Sequence, residues 1–234
     1  FTELGCLYSK YRPEKLMEHI KIFWSRCTIP KLLRACEAGY HWAEACFLQH
    51  ESEDFDSAAR CMMDHSPEAF QHEKFIDTIK KVRNHDLYYA AIDFYLAEEP
   101  GRLGHLMDTL QSKLDASRVV HQVRKQKQLF SILAYLKAVQ SENLTAVNDA
   151  INEIYVEEED YDALRSSINK WDNFDQLGLA KVIEKHDLIE FRRIAASLYK
   201  LNKRYEKSIE LSKADKMYKD AIDTAAESGD ARLA

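Results

Sequence analysis

Ala45-Cys46-Phe47-Leu48-Gln49-His50-Glu51-Ser52-Glu53-Asp54-Phe55-Asp56 aligns without a gap on Ala195-Ala196-Ser197-Leu198-Tyr199-Lys200-Leu201-Asn202-Lys203-Arg204-Tyr205-Glu206, 150 residues further along. Both segments read as a helical hairpin. Small residues let the first helix approach its neighbour, and Leu48 or Leu198 fills the layer with an aromatic. A polar turn follows, and Phe55 or Tyr205 with an acidic residue opens the return helix. A looser copy, Leu7-Tyr8-Ser9-Lys10-Tyr11-Arg12-Pro13-Glu14-Lys15, lies near the start. A repeated unit whose core is completed by its neighbours predicts a stacked array rather than a closed bundle.

The rest of the chain extends this pattern. Apolar residues recur at three- and four-residue spacing, as in Leu87, Tyr88, Ala91, Ile92 and Tyr95 or Ile189, Ile194 and Leu198, with no period-two run of strand length. Pro13, Pro30, Pro67 and Pro100 stand where new helices are expected to start, because the first turn does not need the missing N–H. Gly39 and Gly229 suit helix C-terminal caps. The punctuation predicts roughly sixteen helices of about 10–14 residues. The expected fold is therefore all-α: a superhelix, or solenoid, of stacked short hairpins. Apolar faces are expected to stay open at both ends, and Asp230 is expected to open a further helix, so the chain reads as an excised section of a longer array.

Composition narrows the function. Hydrophobic residues make up 46% and charged residues 31%, with only six Gly and four Pro, a profile of ordered helix rather than disorder. A net charge of −6 argues against a nucleic-acid binder, which needs a concentrated cationic surface. The five cysteines, Cys6, Cys27, Cys36, Cys46 and Cys61, are odd in number and contain no CxxC pair, as expected of reduced cytoplasmic thiols. No apolar stretch approaches the roughly 20 residues that cross a bilayer, and no signal-peptide layout opens the chain.

Catalytic and metal chemistry find little footing. Cys61 and His65 share helical spacing, but a zinc site needs two more ligands, and core packing is the favoured reading of the cysteines. The nine histidines are scattered, His72-Glu73 lacks the second histidine of a zincin, and solvated faces are their expected place. The chain is accordingly read as no enzyme, with no cofactor. Glu157-Glu158-Glu159-Asp160 is expected to face the positive end of the helix that follows. Trp24, Trp42 and Trp171 are read as packing residues. The cluster Arg118, Arg124, Lys125 and Lys127 reads first as a solvated helix face, and next as a groove for an acidic partner helix, with Lys137, Lys200, Lys203 and Arg204 extending it.

Phe1-Thr2-Glu3-Leu4, Leu7-Tyr8-Ser9-Lys10, Phe23-Trp24-Ser25-Arg26, Ile29-Pro30-Lys31, Glu157-Glu158-Glu159-Asp160-Tyr161, Asp172-Asn173-Phe174-Asp175 and Glu190-Phe191-Arg192-Arg193-Ile194-Ala195-Ala196 closely resemble the clathrin heavy chain. The resemblance covers essentially the whole length. It implies the leg region near the hub of the three-legged assembly, with the end of one heavy-chain repeat in 1–142, a seam at Ser141-Glu142-Asn143, and the start of the next repeat in 143–234.

The implied role is structural: a leg that packs into the polyhedral vesicle coat, serving endocytosis and vesicle transport on the cytoplasmic face of coated pits. Implied partners are the clathrin light chain and other heavy-chain legs, with trimerisation through a segment outside this window and membrane contact only through adaptors. At Tyr205, after Arg204, the family commonly carries a Trp implicated in light-chain docking. The implied light-chain face is Arg204, Tyr205 and Lys203, with Lys137, Arg124 and Lys125 from the basic stripe. The alternative is a vacuolar tethering scaffold that shares the repeat without forming cages.

Overall fold

The computed structural model describes residues 1–230 and 232; among them it contains sixteen α-helices and no strand. The helices fall into two compact units, Phe1–Leu114 and Asp115–Ala234. In the first unit α1 is Thr2–Tyr11, α2 Leu16–Phe23, α3 Ile29–Ala38, α4 Trp42–Glu51, α5 Phe55–Asp64, α6 His72–Ile79, α7 Asp86–Glu98 and α8 Leu103–Leu110. In the second, α9 is Ala116–Lys125, α10 Leu133–Val139, α11 Thr145–Glu157, α12 Tyr161–Lys170, α13 Gln176–Ile183, α14 Ile189–Leu201, α15 Tyr205–Ala214 and α16 Tyr218–Ser228.

The packing order defines an α-α solenoid. Within each unit many helices touch the next, as α4 does α5 and α14 does α15, and many touch the next but one: α1 with α3, α2 with α4, α5 with α7, α9 with α11, α12 with α14. Contact at both steps places alternate helices in two layers, so short helices that would be marginal alone gain a buried face on two sides. Leu16, Ile20, Leu32, Cys36, Ala45 and Leu48 form one such core in the first unit, and Leu164, Ile183, Phe191, Ile194, Leu198 and Tyr199 belong to one in the second.

Six of the helix connections close by one device. Tyr40, Glu53, Lys127, Glu159, Lys203 and Lys216 all adopt the left-handed conformation, with φ between 57° and 61°. In each turn the following N–H reaches back five residues: Asp54 to Gln49 O at 2.9 Å, Asp160 to Tyr155 O at 2.9 Å, Arg204 to Tyr199 O at 2.8 Å. The left-handed residue itself bonds three back, Glu53 to His50 O and Lys203 to Lys200 O, both at 3.0 Å. These are Schellman caps, which satisfy the orphan carbonyls of the outgoing helix. In five of the six an aromatic opens the return helix two residues later: Trp42, Phe55, Tyr161, Tyr205 and Tyr218. The hairpin legible in two copies therefore recurs more widely.

Several local expectations are corrected. Pro67 starts no helix; it lies in the turn between α5 and α6, after a cis peptide bond from Ser66. Gly39 caps α3 with φ −92°, and the left-handed position falls on Tyr40 instead. Gly39 is needed for a close approach, since a Cβ there would stand 2.7 Å from the His41 ring. Glu157 ends α11 and Glu158 caps its C-terminus, so only Asp160 serves the next helix, accepting from the Ala163 N–H at 2.9 Å. The helix expected after Asp230 lies largely outside the described residues.

Histidines are also less solvated than expected. His19 and His72 are buried, the first bonded to the Phe1 carbonyl, the second to Tyr95 and His105. His65 stacks on Trp42 with ring centroids 3.4 Å apart, while the Cys61 thiol faces the Trp42 carbonyl. Ser141-Glu142-Asn143 lies inside the second unit, where the Asn148 amide, fully buried, donates to Asn143 Oδ1 at 2.8 Å and to the Asn173 carbonyl at 3.0 Å. That buried polar knot is satisfied on both sides, as buried amides must be.

Candidate partner-binding site

The turn between α14 and α15 gathers three of the six candidate residues. Lys203 is the left-handed residue, Arg204 the N-cap and Tyr205 the first residue of α15. Lys203 and Arg204 are exposed and Tyr205 is half-buried, so the phenol is held while both cations project. Beside them is a cavity of about 630 Å³, whose lining also includes Lys181, Tyr199, Glu206 and Lys207. Lys207 lies over the Tyr199 ring at 5.2 Å, and the Tyr199 hydroxyl donates to Glu184. Burial, then that carboxylate, pushes the Tyr199 phenol up to about 12, so it remains a neutral donor.

Arg204 occupies a place where other hairpins carry an acid. Asp54, Asp160 and Asp175 each accept a backbone N–H from the first turn of their helices, at 3.2, 2.9 and 2.8 Å. Arg204 has the same backbone shape as Asp54 (φ −92°, ψ 58° against −88°, 68°) but supplies no cap. An arginine there forgoes a capping bond and adds positive charge at the positive end of the helix. Lys181, Lys203, Arg204 and Lys207 make no ion pair among the described residues. Three other cations of this unit are paired: Arg165 with Glu190 at 3.2 Å, Arg192 with Asp215 at 2.8 Å and Lys200 with Glu227 at 2.7 Å.

The remaining candidates stand elsewhere in the unit. Arg124 is bound to Glu153 of α11 at 2.8 Å, and Lys137 lies over the Tyr155 ring at 5.5 Å. Lys125 is exposed on the last turn of α9. Arg124 thus has an exposed ion-pair partner within the chain, whereas Lys203 and Arg204 at the turn have none among the described residues. Lys207 was legible from its nearness in the chain, since it falls in the first turn of α15, three residues after Arg204 and four after Lys203. Lys181 was not, because it arrives from α13 through packing alone.

Stacked hairpins carrying such a turn form a helical-repeat scaffold, a class whose side-by-side helices present surface along their length. The sequence profile of the Clathrin family, described as "Region in Clathrin and VPS", matches residues 1–103 and 107–234. The chain belongs to that family. It is 53% identical over 233 residues to clathrin heavy chain 1 of Oryza sativa subsp. japonica and 54% identical over 234 residues to clathrin heavy chain 1 of Arabidopsis thaliana. Its identity to clathrin heavy chain 2 of Homo sapiens is 48% over 234 residues. Each alignment takes in 100% of this chain and 14% of the relative, so the chain spans about one-seventh of their length. No helix among the described residues is long and apolar enough to cross a membrane.

Proposed function

We propose that this chain is a leg segment of a clathrin-type vesicle coat, a structural part in endocytosis and vesicle transport, and that the α14–α15 turn docks the helix of a clathrin light chain. Identity to proteins named clathrin heavy chain across the whole chain supports the coat role. The observation that carries the docking site is the unpaired cation set of Lys181, Lys203, Arg204 and Lys207 around Tyr205. An acidic amphipathic helix matches it: carboxylates meet the cations, and an apolar residue packs on the phenol. Arg124, Lys125 and Lys137 extend the contact along the same unit, and the repeat boundary at 142/143 belongs to this reading. Legs of other copies, adaptor-mediated membrane contact and a cytoplasmic setting complete it.

A tethering scaffold is the second reading, because the family description also takes in VPS proteins. The heavy-chain names of the relatives favour the coat. Titration of the cognate light chain by fluorescence anisotropy tests the docking. Affinity that falls about tenfold in Tyr205→Ala and weakens with salt is expected; unchanged affinity removes the turn from the interface.

A further inference from the structure

Cys46 and Cys61 meet across the α4–α5 hairpin. Cys46 stands eight residues before Asp54, the cap between the helices, and Cys61 seven after it, so antiparallel packing brings them to one level. The Cys61 Sγ lies 3.9 Å from the Trp42 carbonyl oxygen. In an α-helix that oxygen accepts the N–H four residues on, which is that of Cys46. The Cys61 sulfur therefore rests against the turn that carries Cys46, close enough for each thiol to shift the other's protonation.

Access and chemistry differ between the two. Cys61 is half-buried, whereas Cys46 is 2% exposed but lines a cavity of about 330 Å³ with Met17, Phe47 and Met62. Both are free thiols. The contact with Cys46 lowers the Cys61 thiol, while the same contact, and then burial, raises Cys46. Cys36, by contrast, is fully buried and is pushed up to about 12, mainly by burial and then by Glu44, with Cys6 and Glu37 adding to it, a setting for an inert side chain.

We propose that Cys46 and Cys61 form an oxidation site, in which hydrogen peroxide converts the pair to a disulfide that staples the α4–α5 hairpin. The Cys61 thiolate attacks one peroxide oxygen; the O–O bond breaks, hydroxide leaves, and Cys61 becomes the sulfenic acid. Cys46 then attacks the Cys61 sulfur, the S–S bond forms and the S–O bond breaks. The Cys46 proton leaves with the departing oxygen as water. Two thiols and one peroxide give one disulfide and two waters. The change removes the Cys46 thiol from the wall of the 330 Å³ cavity and adds a cross-link between two helices otherwise joined only by their turn.

The test is peroxide treatment of the whole chain, alkylation of the remaining thiols, and non-reducing peptide mapping by mass spectrometry. A link between the peptides of Cys46 and Cys61, lighter by two hydrogens, is expected, with Cys6, Cys27 and Cys36 alkylated. In Cys46→Ser, dimedone is expected to trap the sulfenic acid on Cys61; in Cys61→Ser, Cys46 is expected to stay a thiol. Linkage through other cysteines, no linkage at all, or faster dimedone labelling of Cys46 than of Cys61 would overturn the proposal. The wild-type map decides the question even if a serine variant fails to fold.

Discussion

Arg192 grips Asp215 with two nitrogens, Nε to Oδ2 at 2.9 Å and Nη2 to Oδ1 at 2.8 Å, while its Nη1 donates to the carbonyls of His186 and Asp187. One guanidinium thus joins the chain before α14 to the residue that caps α15. Both side chains are largely shielded, at 23% and 11% exposure. Truncating Asp215 leaves the guanidinium with half its partners gone. Asp215→Ala is expected to cost roughly 2 kcal/mol in urea unfolding; a loss within experimental error would mean water replaces the carboxylate freely.

A second contact predicts a pH dependence. Buried His72 bonds the Tyr95 hydroxyl through Nδ1 at 2.8 Å and His105 through Nε2 at 2.9 Å, and burial, aided by Arg102 and His105, holds its imidazole below the usual value. The unfolded chain therefore binds more protons than the fold between about 6.5 and that lower value. The stability from neutral His72 is complete above about 6.5 and is lost as pH falls through the window. Glu73 and Glu99 oppose the shift without reversing it. The midpoint of thermal unfolding is expected to fall on acidification from pH 7 to 5, and His72→Gln is expected to flatten that slope. Parallel slopes for the two proteins would count against it.

The hairpin turns carry a measurable strain. Glu53 holds φ 61°, a region that disfavours every side chain bearing a Cβ. Glu53→Gly relieves that strain but adds freedom to the unfolded chain, for a net gain of about 0.5–1 kcal/mol. Glu53→Val, β-branched, is expected to lose about 1–2 kcal/mol or more. Denaturant midpoints that move the same way in both variants would contradict the assignment of the turn.

These turns also mark the limit of what the sequence discloses. Helical periodicity, few glycines and the alignment of 45–56 on 195–206 were enough for an all-α array, because burial on one face leaves a 3.6-residue signature. The left-handed positions left no such trace: Tyr, Glu and Lys occupy them, and no glycine announces them. The acidic run at 157–160 is divided for the same reason, since the turn falls inside it: Glu157 and Glu158 end α11, and Asp160 alone caps α12 as expected. His72, Tyr95 and His105 meet from three helices, and Lys181 joins Arg204 from another, so tertiary packing alone brings them together. Tyr205 and its two basic neighbours stand together because they are adjacent in the chain, and it was the family resemblance that singled them out.

Helix capping offers an independent check on the repeat. Asp54 accepts the Ser57 N–H at 3.2 Å, so Asp54→Ala is expected to cost about 1 kcal/mol. The matching change at Glu53's neighbour Ser52, whose hydroxyl bonds only the exposed Gln49 carbonyl at 3.0 Å, is expected to cost under about 0.5 kcal/mol. Equal losses in thermal or urea unfolding would show that the cap is not the source.

Binding of the cognate light chain to wild-type and Arg204→Asp protein tests the central claim most directly, with unfolding measured on the same samples. Aspartate at this backbone geometry restores the cap that Asp54 and Asp160 supply, so stability is expected to rise by about 1 kcal/mol. The same substitution reverses a charge at the centre of the unpaired cation set, so affinity is expected to fall at least about tenfold. A more stable protein that binds less well is the predicted result. Undiminished affinity in a folded Arg204→Asp variant would contradict a light-chain site at the α14–α15 turn.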